Sequence, residues 1–139
     1  MPKEKALSPE EFLGFRIGSD RKIADWPEIV SYFERLAKNS DRIKFEILGE
    51  TTEKNSFVLA TISSAKNLSN LEHYRRMQNR LCNPKGLTEK EAAKLVEEGK
   101  TIVLTTCSIH STEMGACQMS MELAHRLVTE NSPEVNEIL

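Results

Sequence analysis

A chain of 139 residues is one domain by length, and at this size folding buries about 68% of the unfolded surface, enough for a core of its own. A hydrophobic fraction of 39% and a charged fraction of 29% exclude a disordered tract, and no stretch reaches the roughly 20 apolar residues of a membrane span. A formal net charge of −2 argues against nucleic acid as the main partner, and the opening MPKEKALSPEEF lacks the apolar run of a secretory leader.

Residues 1–7 read as a frayed, charged lead. Ser8-Pro9-Glu10-Glu11 is a helix start, with Ser as cap, Pro at the first position and Glu three residues on. Gly14 and Gly18 keep that helix short. Asp25 and Glu28 repeat the capping pattern, and Ile29, Phe33, Leu36 and Ala37 recur at helical spacing, which predicts an amphipathic helix over 26–38. The period then changes to two. Ile43, Phe45 and Ile47 alternate with Lys44 and Glu46 as in a half-buried strand, and 57–62 reads as its antiparallel partner across a polar turn at 49–56.

Two helices follow. Ser69 with Glu72 makes a capping box for the first, whose face is Leu71, Tyr74, Met77 and Leu81; Asn83-Pro84-Lys85-Gly86 ends it. Thr88 with Glu91 opens the second, a surface helix of mixed charge that stops at Gly99. Residues 101–109, TIVLTTCSI, are the most apolar run in the chain. They are β-branched without alternating, which predicts a strand covered on both faces, as central parallel strands are. Residues 113–129 read as a helix striped by Cys117, Ser120, Ala124 and Leu127, widened by Leu123 and Val128, and Ser132-Pro133-Glu134 opens a last helix.

Strands alternating with helices give an α/β class, a partial mixed sheet of about three strands with flanking helices. The third strand has no evident parallel neighbour, so the chain reads as part of something longer, with an exposed sheet edge prone to self-association. Other features have local readings. The basic face Arg75, Arg76 and Arg80 reads as solvated, Met114, Met119 and Met121 as helix packing, and Trp26 and Tyr74 as core anchors. Cys82, Cys107 and Cys117 contain no C-x-x-C pair, so no disulfide framework or thiol redox motif is expected, and Cys107 and Cys117 read as buried small apolar residues.

The candidates for chemistry converge on residues 108–116. His110 leaves the carboxyl end of the apolar run and Glu113 stands at the mouth of the next helix, the edge where open α/β sheets bind ligands. An imidazole nitrogen and a carboxylate oxygen at that spacing suit Zn. The bare pattern is weak: with 18 Glu in 139 residues, three histidines give about a one-in-three chance of an accidental His-x-x-Glu. Its place in the chain is what distinguishes it from a capping Glu beside an ordinary histidine.

That segment, with the apolar run before it and Met114-Gly115-Ala116 opening the helix after it, resembles the zinc carboxypeptidases of the M14 metallopeptidase family. The similarity extends over residues 8–139. It includes Ile47-Leu48-Gly49-Glu50-Thr51-Thr52-Glu53 and a lead with Phe12-Leu13-Gly14-Phe15, Gly18-Ser19-Asp20 and Trp26. The resemblance implies that residues 1–139 are the N-terminal portion of a single carboxypeptidase-like catalytic domain. His110 and Glu113 would be the first two ligands of a catalytic Zn2+, which activates water for peptide-bond hydrolysis at a peptide or protein C-terminus. The third ligand, the general base and the substrate-binding Asn and Arg would lie downstream, so the resemblance places no catalytic residue within this chain, and the chain alone is expected to be inactive. His125 would lie about 18 Å along the helix from Glu113, too far to share the metal. Lys54 and Asn55 stand where the family usually has Gly and Arg. A zinc deacylase of small acyl-amino acids and a non-catalytic binding module of the same fold are the alternatives. The compartment stays open, and the resemblance is compatible with an exported parent.

Overall fold

The computed structural model describes residues 5–139, so the first four residues of the charged lead lie outside it. The described elements are α1 (Pro9–Leu13), α2 (Trp26–Asn39), β1 (Ile43–Glu50), β2 (Ser56–Ile62), α3 (Ala65–Ser69), α4 (Leu71–Cys82), α5 (Glu89–Glu98), α6 (Met114–Thr129) and α7 (Pro133–Ile138). They divide into two compact units, one made of the chain up to Leu68 together with Thr106–Leu139, the other of Ser69–Thr105.

In the first unit the caps form as the sequence predicts. The Glu11 N–H donates to Ser8 Oγ at 3.2 Å and the Ser8 N–H donates to Glu11 Oε2 at 2.8 Å. Gly14, at φ +75°, closes α1 with its N–H on the Glu10 carbonyl at 2.9 Å. Asp25 and Glu28 form the same reciprocal pair at the start of α2, both bonds at 2.8 Å. The Ser8 N–H, then the Lys5 ammonium, holds the Glu11 carboxyl at about 2, against 4.5 for a free glutamate. A carboxyl lowered on folding stabilises the cap above the unfolded value and stops doing so as pH falls through the folded one. The Glu11 side-chain carbon is therefore expected to titrate near pH 2 by NMR, with α1 fraying across the window from 4.5 down to 2. A midpoint near 4.5 would mean that the cap does not form in solution.

β1 and β2 pair antiparallel from Ile43↔Ile62 to Glu50↔Ser56. Leu48 is the extra residue of a bulge between Ile47 and Gly49, and Gly49 takes φ +157°, which suits a residue without Cβ. The turn is shorter than the predicted 49–56, because ladder pairs reach Glu50 and Ser56. Lys54 sits in it at φ +62°, the left-handed region where the family resemblance has Gly. A non-glycine residue there costs ~1–2 kcal/mol. Gly adds chain entropy of ~0.5–1 kcal/mol to the unfolded state. The Nζ contact of Lys54 with Glu50, 3.6 Å and exposed, contributes almost nothing. Lys54→Gly is thus expected to stabilise the chain by up to about 1 kcal/mol in urea titrations; a loss of stability would contradict the left-handed turn.

The core of this unit lies where α2 meets β1 and α6. Ile29, Tyr32, Phe33 and Leu36 pack with Ile43, Met121, Ala124 and Val128. Rings extend it: Phe12 meets Tyr32 edge-on with centroids 5.3 Å apart, and Phe33 stacks on Phe45 at 6.2 Å. The Tyr32 hydroxyl donates to the Leu7 carbonyl at 3.2 Å, and the Trp26 indole N–H to the Ser56 carbonyl at 3.0 Å, so both polar tips are satisfied. Burial, with Glu122 and Glu11 nearby, raises the Tyr32 phenol above its usual value. Arg42, just before β1, donates to the Glu130 carbonyl at 2.5 Å and to Asn131 Oδ1 at 2.6 Å, tying down the C-terminal end of α6.

Three expectations change. First, α6 buries Ala124 and Val128 as predicted, but the face turns to bury Gln118 and Met121 as well, and leaves Cys117, Ser120 and Leu127 half-buried. Met114, Met119 and Leu123 stand exposed, so only Met121 of the three methionines is a core residue. Apolar residues lie on both sides of this helix, so periodicity alone does not select the face. Second, α4 begins at Asn70 without a side-chain cap, because residues 65–69 are already helical and Ser69 ends α3. Third, 101–109 forms no strand, and the sheet has two strands, not about three. Ile102, Val103 and Leu104 are 70%, 81% and 77% exposed. A strand buried on both faces needs hydrogen-bonded neighbours, and the only two strands among the described residues pair with each other.

In the second unit, Met77 is buried on α4, with Leu71, Tyr74 and Leu81 half-buried beside it on the predicted face. Thr88 and Glu91 form the capping box of α5, and the Gly99 N–H closes it on the Leu95 carbonyl at 3.0 Å. The basic face is locally paired: Arg75 Nε lies 2.7 Å from Glu72 Oε2, and Arg80 donates to the Asn83 carbonyl at 2.8 Å. No described helix is long and apolar enough to cross a membrane.

Candidate metal centre

Residues 107–113 turn from the exposed apolar run into α6. Ser108 holds the turn at φ +103°, a conformation that side-chain-bearing residues rarely adopt and that costs about 1–3 kcal/mol. Its hydroxyl donates to the His110 carbonyl at 2.8 Å, and the Glu113 N–H donates to the same carbonyl at 3.1 Å.

Glu113 is the residue before α6, yet its side chain makes no forward cap to that helix. It folds back instead. Glu113 Oε2 accepts the Ile109 N–H at 2.9 Å and the His110 N–H at 3.1 Å, while Oε1 faces His110 Nδ1 at 2.6 Å. Glu113 thus caps the turn at Ile109 and His110 and not the first turn of α6. The bond to His110, then the N–H groups of Ile109 and His110, holds the Glu113 carboxyl at about 2. It is an anion at any ordinary pH, so in the 2.6 Å contact His110 Nδ1 carries the proton and donates.

The arrangement presents one nitrogen and one ionised oxygen at a single point. The His110 side chain is 72% exposed and that of Glu113 is 45% exposed. The carboxylate rotamer is fixed through Oε2, which leaves Oε1 directed at the imidazole. A proton occupies the junction here, and a cation that accepts N and O donors suits the same two atoms. The donor types suit two positions of a zinc coordination sphere, but tetrahedral zinc holds two such atoms about 3.4 Å apart, so the 2.6 Å contact has to open to admit a metal; among the described residues, no group of three His, Cys, Asp or Glu is placed to hold a metal ion. His125 lies on α6 about three turns beyond Met114, half-buried, and does not join them. Cys117 Sγ donates to the Cys107 carbonyl at 3.1 Å, and both cysteines are half-buried rather than fully buried as the sequence reading expects.

Gln118 is the residue that sequence reasoning missed. Its Oε1 accepts the buried Ala24 N–H at 3.0 Å and its Nε2 donates to the Met114 carbonyl at 3.4 Å, fixing the first turns of α6, directly after Glu113, to the segment before α2. The available signal was a polar residue within an apolar helical pattern. Nothing in the sequence marks the positive φ of Ser108.

No curated protein matches the chain, and no solved structure does. The family model described as zinc carboxypeptidase, peptidase M14, matches residues 29–139, a span that contains most of α2, the hairpin, the His110–Glu113 turn and α6. With most of its length inside that match, the chain belongs to the M14 zinc carboxypeptidase family.

Proposed function

We propose that His110 and Glu113 are two ligands of the zinc of a metallocarboxypeptidase, and that the third ligand and the general base come from outside the described residues. In this reading residues 1–139 form the N-terminal portion of a catalytic domain whose substrate is a peptide or protein C-terminus. The chain alone hydrolyses no peptide, because two ligands do not fix a catalytic zinc. The observation that carries the reading is that the zinc carboxypeptidase family match over residues 29–139 includes a turn on which His110 and Glu113 lie side by side, with the carboxylate held by the Ile109 and His110 N–H groups. Zinc, when bound, supplies a polarising charge for the scissile carbonyl and an activated water. The protein's own part is to keep Glu113 ionised and aimed, and to present Nδ1 beside it.

Calorimetric titration of zinc into the chain tests this. A weak site is expected, lost on His110→Ala and on Glu113→Ala, with circular dichroism unchanged because both side chains are exposed. No heat at millimolar zinc from a cooperatively folded chain, or heat that survives both substitutions, would favour a non-catalytic module of the same fold. The uncharged run at 101–109, exposed over 101–106, adds a second proposal, self-association with another copy of this chain. It carries no charge and no proline over nine residues, the composition of segments that pair edge to edge.

A further inference from the structure

The His110–Glu113 turn is bracketed by two thiols. Cys107 precedes it and Cys117 lies in the first turns of α6, and the turn brings the Cys117 side chain back to the backbone of Cys107, ten positions earlier. Cys117 Sγ donates to the carbonyl oxygen of Cys107 at 3.1 Å, which places the Cys117 sulfur against the Cys107 residue itself. Both side chains are half-buried, whereas Cys82 is exposed on α4 in the other unit. Burial, and then the neighbouring Cys107 thiol, pushes the Cys117 thiol above its usual value.

We infer that Cys107 and Cys117 form an oxidisable dithiol, a site of reaction with low-molecular-weight disulfides whose product is an intramolecular disulfide across the turn. Nothing in this inference depends on zinc. Cys117 is held as a thiol by burial and by its bond to the Cys107 carbonyl, so Cys107 attacks first. Its thiolate opens the S–S bond of an oxidised glutathione, forms a mixed disulfide and releases one reduced glutathione. Cys117, losing its proton to solvent, attacks the Cys107 sulfur and expels the second reduced glutathione. One protein S–S bond forms, two protons leave, and the two electrons reside on two small thiols. The product closes the loop from Cys107 to Cys117 and restrains residues 108–116 at its centre.

The full chain provides its own assay. Cleavage after Lys100 and Arg126 releases one peptide, 101–126, that contains both thiols, while Cys82 lies on peptide 81–85. After incubation with oxidised glutathione and then an alkylating reagent, peptide 101–126 is expected to be lighter by two hydrogens and unalkylated, with Cys82 carrying an adduct. Cys117→Ser should leave a stable glutathione adduct on Cys107, and Cys107→Ser should react more slowly, at Cys117. Amide exchange over 108–112 should slow by about tenfold in the oxidised chain. Two glutathione adducts or two alkyl groups on 101–126, a cross-link to Cys82, or unchanged exchange in the oxidised chain would overturn the inference.

Discussion

Gln118→Leu is expected to destabilise the chain by about 1–3 kcal/mol, the cost of a buried donor left without an acceptor. The Ala24 N–H donates to Gln118 Oε1 at 3.0 Å, and Ala24 and Gln118 are among the most buried residues of the first unit. Leu matches Gln closely in volume and gains apolar burial, so the loss isolates the hydrogen bond. Thermal unfolding should show a midpoint lower by roughly 3–10 °C. Because Gln118 fixes the first turns of α6, the same variant should also bind zinc more weakly than the parent chain although it removes no ligand. An unchanged midpoint would mean that water or another group takes the Ala24 N–H, and that α6 is positioned by packing alone.

Val103→Lys is expected to suppress self-association. Val103 is 81% exposed at the centre of the uncharged run, and a lysine there puts like charges opposite one another whenever two copies pair through it. Sedimentation velocity at increasing concentration should show the parent chain shifting to larger species and the variant staying monomeric. Its folding should be unaffected, since the side chain leaves no core. A parent chain that stays monomeric at every concentration, or a variant that associates equally, would sink the proposal that this run pairs with its own copy.

The elements governed by local chemistry were legible. Ser8, Asp25, Thr88 and Ser132 each accept the backbone N–H of the residue three positions on, as their capping patterns predict. The hairpin followed from period-two alternation and a polar turn. What depended on distant partners was not legible. TIVLTTCSI has the composition of a central strand, but composition cannot supply the neighbours that a strand requires, and the run stands exposed. On α6 apolar residues line both sides, so the buried face was set by the fit of Met121, 0% exposed, and by the bond that Gln118 makes to Ala24. At the candidate site the spacing of His110 and Glu113 was visible. The backward fold of the carboxylate onto the N–H groups of Ile109 and His110 was not, because the pattern is equally that of a helix cap.

The most direct test of the central claim is zinc X-ray absorption on the chain loaded with the metal. Nitrogen and oxygen neighbours are expected at about 2.0–2.2 Å with no sulfur, and with an imidazole scattering pattern that disappears in His110→Ala. A sulfur shell at about 2.3 Å would place the metal on the cysteines. That result, or an imidazole pattern that persists in His110→Ala, would contradict His110 and Glu113 as the metal's ligands.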